Sequence, residues 1–237
     1  MIPIAWPFAQ WGLDMVGPLP KSAHGNHTYL LVAVDKFTKW IEVIPVTNQG
    51  AIAAINFFKM ITCRFGIPHS IITDNGTNFT SREFMQFCEE RGINVRFASV
   101  AHPQTNGQVE KANGLVCDGI KKRLMTPLLR ATGHWVEELP SVLWSLRTTP
   151  NASTQYMPFF MVYGAEAVLP SEVRYEAPRV VAYTEARSNA GMEDSMDLLD
   201  EARDITAARS AVYQQGLRNY HSRRVRHRAF VKGDLVL

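Results

Sequence analysis

The sequence predicts an α/β domain in which helices flank a mixed β-sheet, followed by a helical C-terminal extension. Three strand-like segments come first, strands and helices then alternate, and the last part of the chain is polar and helix-like. Hairpin-linked strands followed by strand–helix alternation are typical of a mixed sheet covered by helices. With 237 residues, 46% of them hydrophobic and 20% charged, the chain can form one large domain with a smaller tail.

The first three strands are predicted from apolar runs between turn residues. Residues 10–16 form the first strand, which a Gly-Pro pair closes. Residues 27–34 are almost all apolar, which predicts a buried strand, whereas residues 38–46 alternate polar and apolar side chains as an edge or half-exposed strand does. The sequence D-K-F-T between these two segments predicts a hairpin turn.

Helices and short strands alternate in the next part of the chain. Residues 51–65 predict a helix with Asn48 as its N-cap and Gly66 as its stop. The β-branched run at residues 70–73 predicts a short buried strand. The sequence T-S-R-E at residues 80–83 fits a capping box, which predicts the start of a second helix there.

The rest of the chain is predicted to be mostly helical. A strand at residues 93–97 is followed by helices at residues 107–124 and 134–146, the second of which contains a proline that can kink it. Residues 150–180 are Pro-rich and predict irregular structure, whereas residues 185–226 predict one or two long polar helices.

Composition argues against several classes of protein. The three cysteines, Cys63, Cys88 and Cys117, are far apart, which argues against a disulfide framework and a zinc site and favours a reducing compartment. No apolar run approaches the length of a membrane span, and the N-terminal sequence lacks the features of a signal peptide. The net charge of +3 is only mildly basic, so it says little about partners.

Charge is unevenly distributed near the C-terminus. An acidic stretch at residues 193–201 precedes a basic stretch at residues 203–232, where eight Lys and Arg side chains accompany a single Asp. This asymmetry fits a surface that binds a polyanion and fits a solvated helix equally well.

Three acids lie where strand ends and a helix start can converge. Asp14 lies in an otherwise apolar strand, where a carboxylate is costly unless it is paired, hydrogen-bonded or metal-bound. Asp74 ends a strand that can lie beside the first one in a mixed sheet. Glu110 lies near the start of a helix, behind a polar loop that contains a glycine. The three carboxylates can therefore meet at one edge of the sheet.

Such a cluster predicts metal chemistry. Three carboxylates repel one another unless cations lie between them, and oxygen ligands suit Mg²⁺ or Mn²⁺. Two such ions form the clamp used for in-line displacement at phosphorus. Each acid also has a structural alternative: Asp74 in a D-N-G turn whose Asn and Gly tolerate positive φ, Asp14 at a strand end, and Glu110 at a helix dipole. Asp35 is a rival ligand, and its D-K-F-T turn favours a structural role.

Four ordered motifs support the metal alternative. The chain resembles the integrase core of long-terminal-repeat retrotransposons in W-G-L-D-M-V-G-P-L-P, L-V-A-V-D-K-F-T-K-W, I-T-D-N-G-T-N-F-T-S and H-P-Q-T-N-G-Q-V-E-K-A-N. The resemblance is closest to the Ty3/Gypsy class, including its plant members, and more distant to retroviral integrases. The 35 residues between Asp74 and Glu110 match the spacing of that family's D-D-35-E pattern.

The resemblance implies an RNase H-like fold with a five-stranded mixed sheet and helices on both sides. It also implies that Asp14, Asp74 and Glu110 are catalytic and hold two Mg²⁺ or Mn²⁺ ions. Such enzymes trim the 3′ end of element DNA with water and then use the 3′-hydroxyl to attack a target phosphodiester. The implied partners are the element ends and target DNA, on which the protein forms a homo-oligomer in the nucleus. No membrane partner is expected.

The resemblance also implies a set of DNA contacts. Residues 104–108 resemble the family's mobile active-site loop, and basic side chains on the following helix can hold phosphates. A solvated helix face is the alternative for those lysines. The residues predicted to contact DNA are Gln104, Asn106, Gln108, Lys111, Asn113, Lys121, Lys122, Arg123, Arg223, Arg224, Arg226 and Arg228.

The chain departs from the family pattern at both ends, as a segment of a longer polyprotein or a decayed genomic copy would. The His-His-Cys-Cys zinc module is missing, so no zinc is expected, and the small C-terminal β-barrel is cut off. Two other functions stay open: an inert integrase-derived protein that binds nucleic acid, and a cellular RNase H-type hydrolase, which the D-N-G and Q-T-N-G motifs disfavour. The predicted division is a core at 1–150, an irregular connector at 151–183, a basic helical extension at 184–228 and the start of the barrel at 229–237.

Overall fold

The computed structural model describes residues 6–97 and 132–224 of the chain. Five strands form one sheet: β1 (Gln10–Val16), β2 (Tyr29–Asp35), β3 (Ile41–Val46), β4 (Ser70–Thr73) and β5 (Asn94–Phe97). Their spatial order is β3-β2-β1-β4-β5. β2 runs antiparallel to β1 and β3, whereas β4 runs parallel to β1 and β5. The predicted mixed sheet of five strands is confirmed.

Helices account for most of the remaining described residues. None of the described helices combines the length and the apolar character needed to cross a membrane. The described helices are α1 (Ala51–Phe65), α2 (Thr77–Thr80), α3 (Arg82–Glu89), α4 (Trp135–Thr148), α5 (Pro158–Tyr163), α6 (Pro170–Arg174), α7 (Pro178–Val181) and α8 (Glu185–Arg224).

Both faces of the sheet are buried. One face packs against α1 and α3, where Trp11, Phe58 and Phe84 are completely buried. The other face packs against α4, where Val32 contacts the cluster around Trp135. A strand that is covered on both faces is apolar along most of its length, which explains the continuous apolar run of β2.

Two helix starts differ from the predicted ones. The N-cap position of α1 is Gly50, and the Asn48 side chain instead accepts a hydrogen bond from the Gly50 N–H at 2.9 Å. Helix α3 is capped by Ser81, whose hydroxyl accepts from the Phe84 N–H at 3.2 Å, because Thr80 already belongs to the short helix α2. The capping box predicted the helix and missed its first residue by one position.

The region after α4 is more regular than predicted. The segment expected to be irregular contains α5, α6 and α7, each of which begins with a proline. Proline suits the first helical position because its φ is already helical and its missing N–H would have no partner there. The polar segment that follows is a single helix, α8, of 40 residues.

Helix α8 is attached to the core near its middle. Phe37 and Met161 form a buried cluster with apolar residues of α8. The Arg203 guanidinium donates a hydrogen bond to the Met161 carbonyl at 3.2 Å, and Arg209 donates to the Thr154 carbonyl at 2.9 Å. These two members of the basic stretch therefore hold the helix in place, which distinguishes them from the arginines predicted to contact DNA.

Cys63 and Cys88 are predicted to differ in reactivity. Burial raises the pKa of the Cys88 thiol to about 12, whereas Cys63 is exposed. Because the thiolate is the reacting form, we expect iodoacetamide at about pH 8 to alkylate Cys63 and to leave Cys88 unmodified in the folded protein. Peptide mapping by mass spectrometry, before and after denaturation, measures both sites. Equal labelling of the two thiols under native conditions would contradict the packing of α3.

Candidate active site at the β1–β4 edge

Asp14 and Asp74 lie on neighbouring strands at one end of the sheet. β1 and β4 are parallel, and Gly12 opposite Ile72 is their last registered pair. Asp14 and Asp74 each follow this pair by two residues, Asp74 just past the end of β4, so a register continued by two positions would set them side by side. Neighbouring strands are about 4.8 Å apart, a spacing that lets two carboxylates share one ion.

The two acids also belong to the same face of the sheet. Side chains alternate between the faces of a strand. Trp11 and Leu13 pack into the cluster of α1 and α3, so Asp14 belongs to the opposite face, which α4 covers. On β4, Ile71 packs into the same α1–α3 cluster, and Asp74, three positions later, continues the face that α4 covers. Burial differs between the acids, because Asp14 is half-buried and Asp74 is exposed.

Local hydrogen bonds orient both carboxylates. Oδ1 of Asp14 accepts from the Met15 N–H at 2.8 Å. Oδ1 of Asp74 accepts from the Gly76 N–H at 3.0 Å, which holds the carboxylate against its own turn. Within the described part of the chain, the second oxygen of Asp74 has no hydrogen-bond partner. Asp74 can therefore stabilise its turn through Oδ1 and still offer Oδ2 to a metal ion.

Gly76 makes this turn possible through its small size. Its φ is −58°, so the turn does not use the tolerance of positive φ that glycine offers. A Cβ at this position would lie 2.6 Å from Oδ1 of Asn78 and 2.9 Å from Oδ1 of Asp74. Any larger residue would therefore displace the Asp74 carboxylate from its position.

Asp35 lies away from this pair. It is opposite Trp11 in the β1–β2 register, three residues or about 10 Å from Asp14 along the strand. Its buried carboxylate accepts hydrogen bonds from the Phe8 N–H at 3.1 Å, the Thr38 N–H at 2.8 Å and the Thr38 hydroxyl at 2.7 Å. Burial raises the pKa of Asp35, and these donors act in the opposite direction. The hydrogen bonds from Thr38 tie the Asp35 carboxylate to the turn between β2 and β3.

The remaining predicted site residues fall outside what the structure describes. Glu110 is one of them, so the third member of the predicted triad stays a prediction. Arg223 and Arg224 end helix α8, and their side chains are not among those described. The other predicted DNA contacts outside the described residues are Gln104, Asn106, Gln108, Lys111, Asn113, Lys121, Lys122, Arg123, Arg226 and Arg228.

A buried ion-pair centre was not predicted from the sequence. The Glu42 carboxylate accepts hydrogen bonds from Trp40 Nε1 at 2.8 Å and from both terminal nitrogens of Arg64 at 3.1 Å. Nη2 of Arg147 lies 3.2 Å from the same carboxylate, and its guanidinium also donates to the Ile41 carbonyl. The alternation of β3 predicted an edge or half-exposed strand: β3 does lie at one edge of the sheet, whereas Glu42 is only 5% exposed.

Sequence comparisons point to one family. Residues 6–103 match a family model described as Integrase core domain. The chain is 34% identical over 165 residues to the Pro-Pol polyprotein of feline foamy virus, covering 69% of this chain and 14% of that protein. It is 30% identical over 233 residues to the Gag-Pol polyprotein of avian reticuloendotheliosis virus, covering 98% of this chain and 19% of that protein. The chain thus spans only a small part of these relatives.

A solved structure shares the fold. The HTLV-2 integrase catalytic core domain, solved in complex with magnesium in a trimeric form, aligns with a TM-score of 0.51 at 23% identity, covering 65% of this chain and 95% of that one. This likeness identifies the five-stranded mixed sheet with flanking helices as an RNase H-like fold. The family match and the polyprotein relatives show that the chain carries an integrase core domain of the retroviral and retrotransposon type.

Proposed function

We propose that the chain is the catalytic core of a Ty3/Gypsy-type retrotransposon integrase, which processes the 3′ ends of element DNA and joins them to target DNA. The observation that supports this proposal is the β1–β4 register, because Asp14 and Asp74 each follow its last pair, Gly12 and Ile72, by two residues. An integrase core domain supplies the substrate class, DNA. The proposed location is the nucleus, with a homo-oligomer on the DNA.

Asp14, Asp74 and Glu110 are the proposed catalytic residues and the ligands of two Mg²⁺ or Mn²⁺ ions. Carboxylate oxygens are the donors that these ions prefer, and the HTLV-2 core was solved with magnesium. When bound, such ions supply activation of the attacking oxygen and stabilisation of the leaving oxygen.

The two described acids of the proposed site are held in different ways. The Gly76 N–H orients the Asp74 carboxylate, whose exposed position leaves room for a phosphodiester beside it. Asp14 is half-buried, and the pairing of β1 with β2 fixes its backbone. A rigid acid in the strand and an exposed acid in the turn suit a site that admits a large substrate from solvent.

A disintegration assay tests the proposed activity. A branched DNA that mimics the joined product is incubated with the protein, and release of the unbranched duplex is measured on a gel. We expect release with Mn²⁺ or Mg²⁺ and none after chelation. An inert integrase-derived protein that binds nucleic acid would retain the branched DNA in a mobility-shift assay and leave it intact with either metal.

DNA binding is expected to depend mainly on phosphate contacts. The affinity for duplex DNA should then fall steeply with salt, with a slope of about −0.9 in log K against log salt for each phosphate contacted. Truncation before Arg223 removes the terminal basic residues and keeps Arg203 and Arg209, which hold α8 to the core. We expect this truncation to weaken binding more than Lys111→Ala does. Fluorescence anisotropy measures both, and an affinity that stays flat across the salt range would contradict the proposal.

A further inference from the structure

A second cluster of metal-ligating side chains lies where the loop between β1 and β2 meets the start of α4. Nδ1 of His24, in the loop, is 3.0 Å from Oε1 of Glu137. Nδ1 of His134, the residue before α4, contacts Oε2 of the same carboxylate. We propose that His24, His134 and Glu137 together bind one divalent transition-metal ion, with Zn²⁺ as the metal that this donor set favours.

The backbone holds these side chains together across a long sequence separation. The Ala23 N–H donates to the Gly133 carbonyl at 2.8 Å, which places the loop beside the residue before His134. The buried Trp135 donates through Nε1 to the Pro20 carbonyl at 2.7 Å. These two bonds, from the residues on either side of His134, fix the loop segment that precedes His24 against the start of α4.

The loop is also closed internally. Ser22 is buried, and its hydroxyl donates to the His24 carbonyl at 2.6 Å. The Ser22 hydroxyl oxygen also accepts a hydrogen bond from the His27 N–H at 2.8 Å. The backbone of His24 is therefore held in place, while its imidazole stays exposed and can rotate to reach an ion.

The geometry is close to what a tetrahedral site needs. The ligand atoms of the three side chains all lie within 4.8 Å of one another. Bonds of about 2.0–2.2 Å to Zn²⁺ place neighbouring ligand atoms about 3.3 Å apart, a difference that small rotations of exposed side chains cover.

The donor set determines which metals suit the site. Two imidazoles with one carboxylate are a known zinc combination that leaves a fourth position for water or another ligand. Imidazole nitrogen binds Mg²⁺ poorly, so this cluster differs in metal preference from the proposed carboxylate site. The expectation of no zinc considered only cysteine pairs. Residues 113 positions apart, such as His24 and Glu137, leave no spacing signal in a sequence.

Binding of Co²⁺ and Zn²⁺ tests the proposal in the full chain with excess Mg²⁺ present, so that hard oxygen sites are occupied. We expect one Co²⁺ per chain with the visible absorption of a tetrahedral site, and a melting temperature that rises with Zn²⁺ because only the folded state holds the three ligands together. His24→Ala, His134→Ala and Glu137→Gln should each weaken Co²⁺ binding by more than about tenfold.

Two matched controls separate this site from surface binding. His69→Ala removes an exposed histidine, and Glu83→Gln removes an exposed carboxylate from the first turn of α3, as Glu137 lies in the first turn of α4. We expect both controls to bind Co²⁺ like the parent chain. Circular dichroism without metal shows that each variant is folded. Absence of the Co²⁺ band, or equal loss of binding in cluster and control variants, would overturn the proposal and leave a His–Glu ion pair.

Discussion

Asp74→Asn will abolish metal-dependent strand transfer while leaving the metal-free protein at least as stable as the parent. Asn keeps the volume of the side chain, and its carbonyl oxygen can still accept the hydrogen bond from the Gly76 N–H. The substitution removes one of the two negative charges that follow the last registered β1–β4 pair by two residues, which we propose lie side by side. We expect a loss of activity of about a thousandfold or more, because a lost metal ligand removes several kcal/mol of transition-state stabilisation.

Thermal melts with and without Mg²⁺ give a second readout of the same substitution. Mg²⁺ should raise the melting temperature of the parent, because the unfolded chain has no assembled site, and should have little effect on Asp74→Asn. The melts use Mg²⁺ and not Mn²⁺, because the imidazoles of the His24, His134 and Glu137 cluster bind Mg²⁺ poorly. Equal responses of the two proteins to Mg²⁺ would show that Asp74 is a turn residue without a ligand role.

Asp35→Asn is the matched control for this experiment. It makes the same chemical change in an aspartate whose carboxylate accepts from Phe8 and Thr38. An amide nitrogen facing these donors leaves at least one of them without an acceptor, which costs about 1–3 kcal/mol. Asn carries no charge, so the cost of burying a negative charge, which raises the pKa of Asp35, disappears and offsets part of that loss. We therefore expect lower stability with an intact response to Mg²⁺, the reverse of Asp74→Asn.

The strands could be predicted from the sequence for a definite physical reason. They are set by local composition: β1 was predicted with its observed bounds because turn residues enclose an apolar run. The expected place of β4 beside β1 is confirmed, and it followed from the order of hairpin strands and crossovers. The meeting of Asp14 with Asp74 stays a prediction that this adjacency supports.

Contacts between distant segments were not accessible in this way. Glu42 alternates with apolar neighbours as an exposed residue would, and only the arrival of Arg64 and Arg147 from two helices explains its burial. The same holds for His24 and Glu137, which meet through a loop and a helix start. The cap of α3 was missed by one position, because Thr80 and Ser81 are adjacent hydroxyl residues and either type of side chain can cap a helix.

Glu42→Ala should lower the free energy of unfolding by about 3–5 kcal/mol, the usual cost of removing one partner of a buried ion pair. The Arg147 guanidinium, whose side chain is 21% exposed, would lose its counter-ion, and Trp40 Nε1 would lose its acceptor. Arg64 is 48% exposed and can turn to water, so it contributes less to the loss. Denaturant unfolding at constant m-value measures the change.

The control for Glu42→Ala is Glu90→Ala, which removes an exposed carboxylate 3.8 Å from Arg91 and should cost less than about 1 kcal/mol. A double variant, Glu42→Met with Arg147→Met, should recover much of the lost stability, since apolar side chains of similar volume replace a buried pair with little loss. Trp40 also packs edge-on against Tyr163 of α5, so this centre links the sheet to the segment that carries α8. If Glu42→Ala lowers the free energy of unfolding no more than Glu90→Ala does, then water, and not Arg147, balances the Glu42 charge.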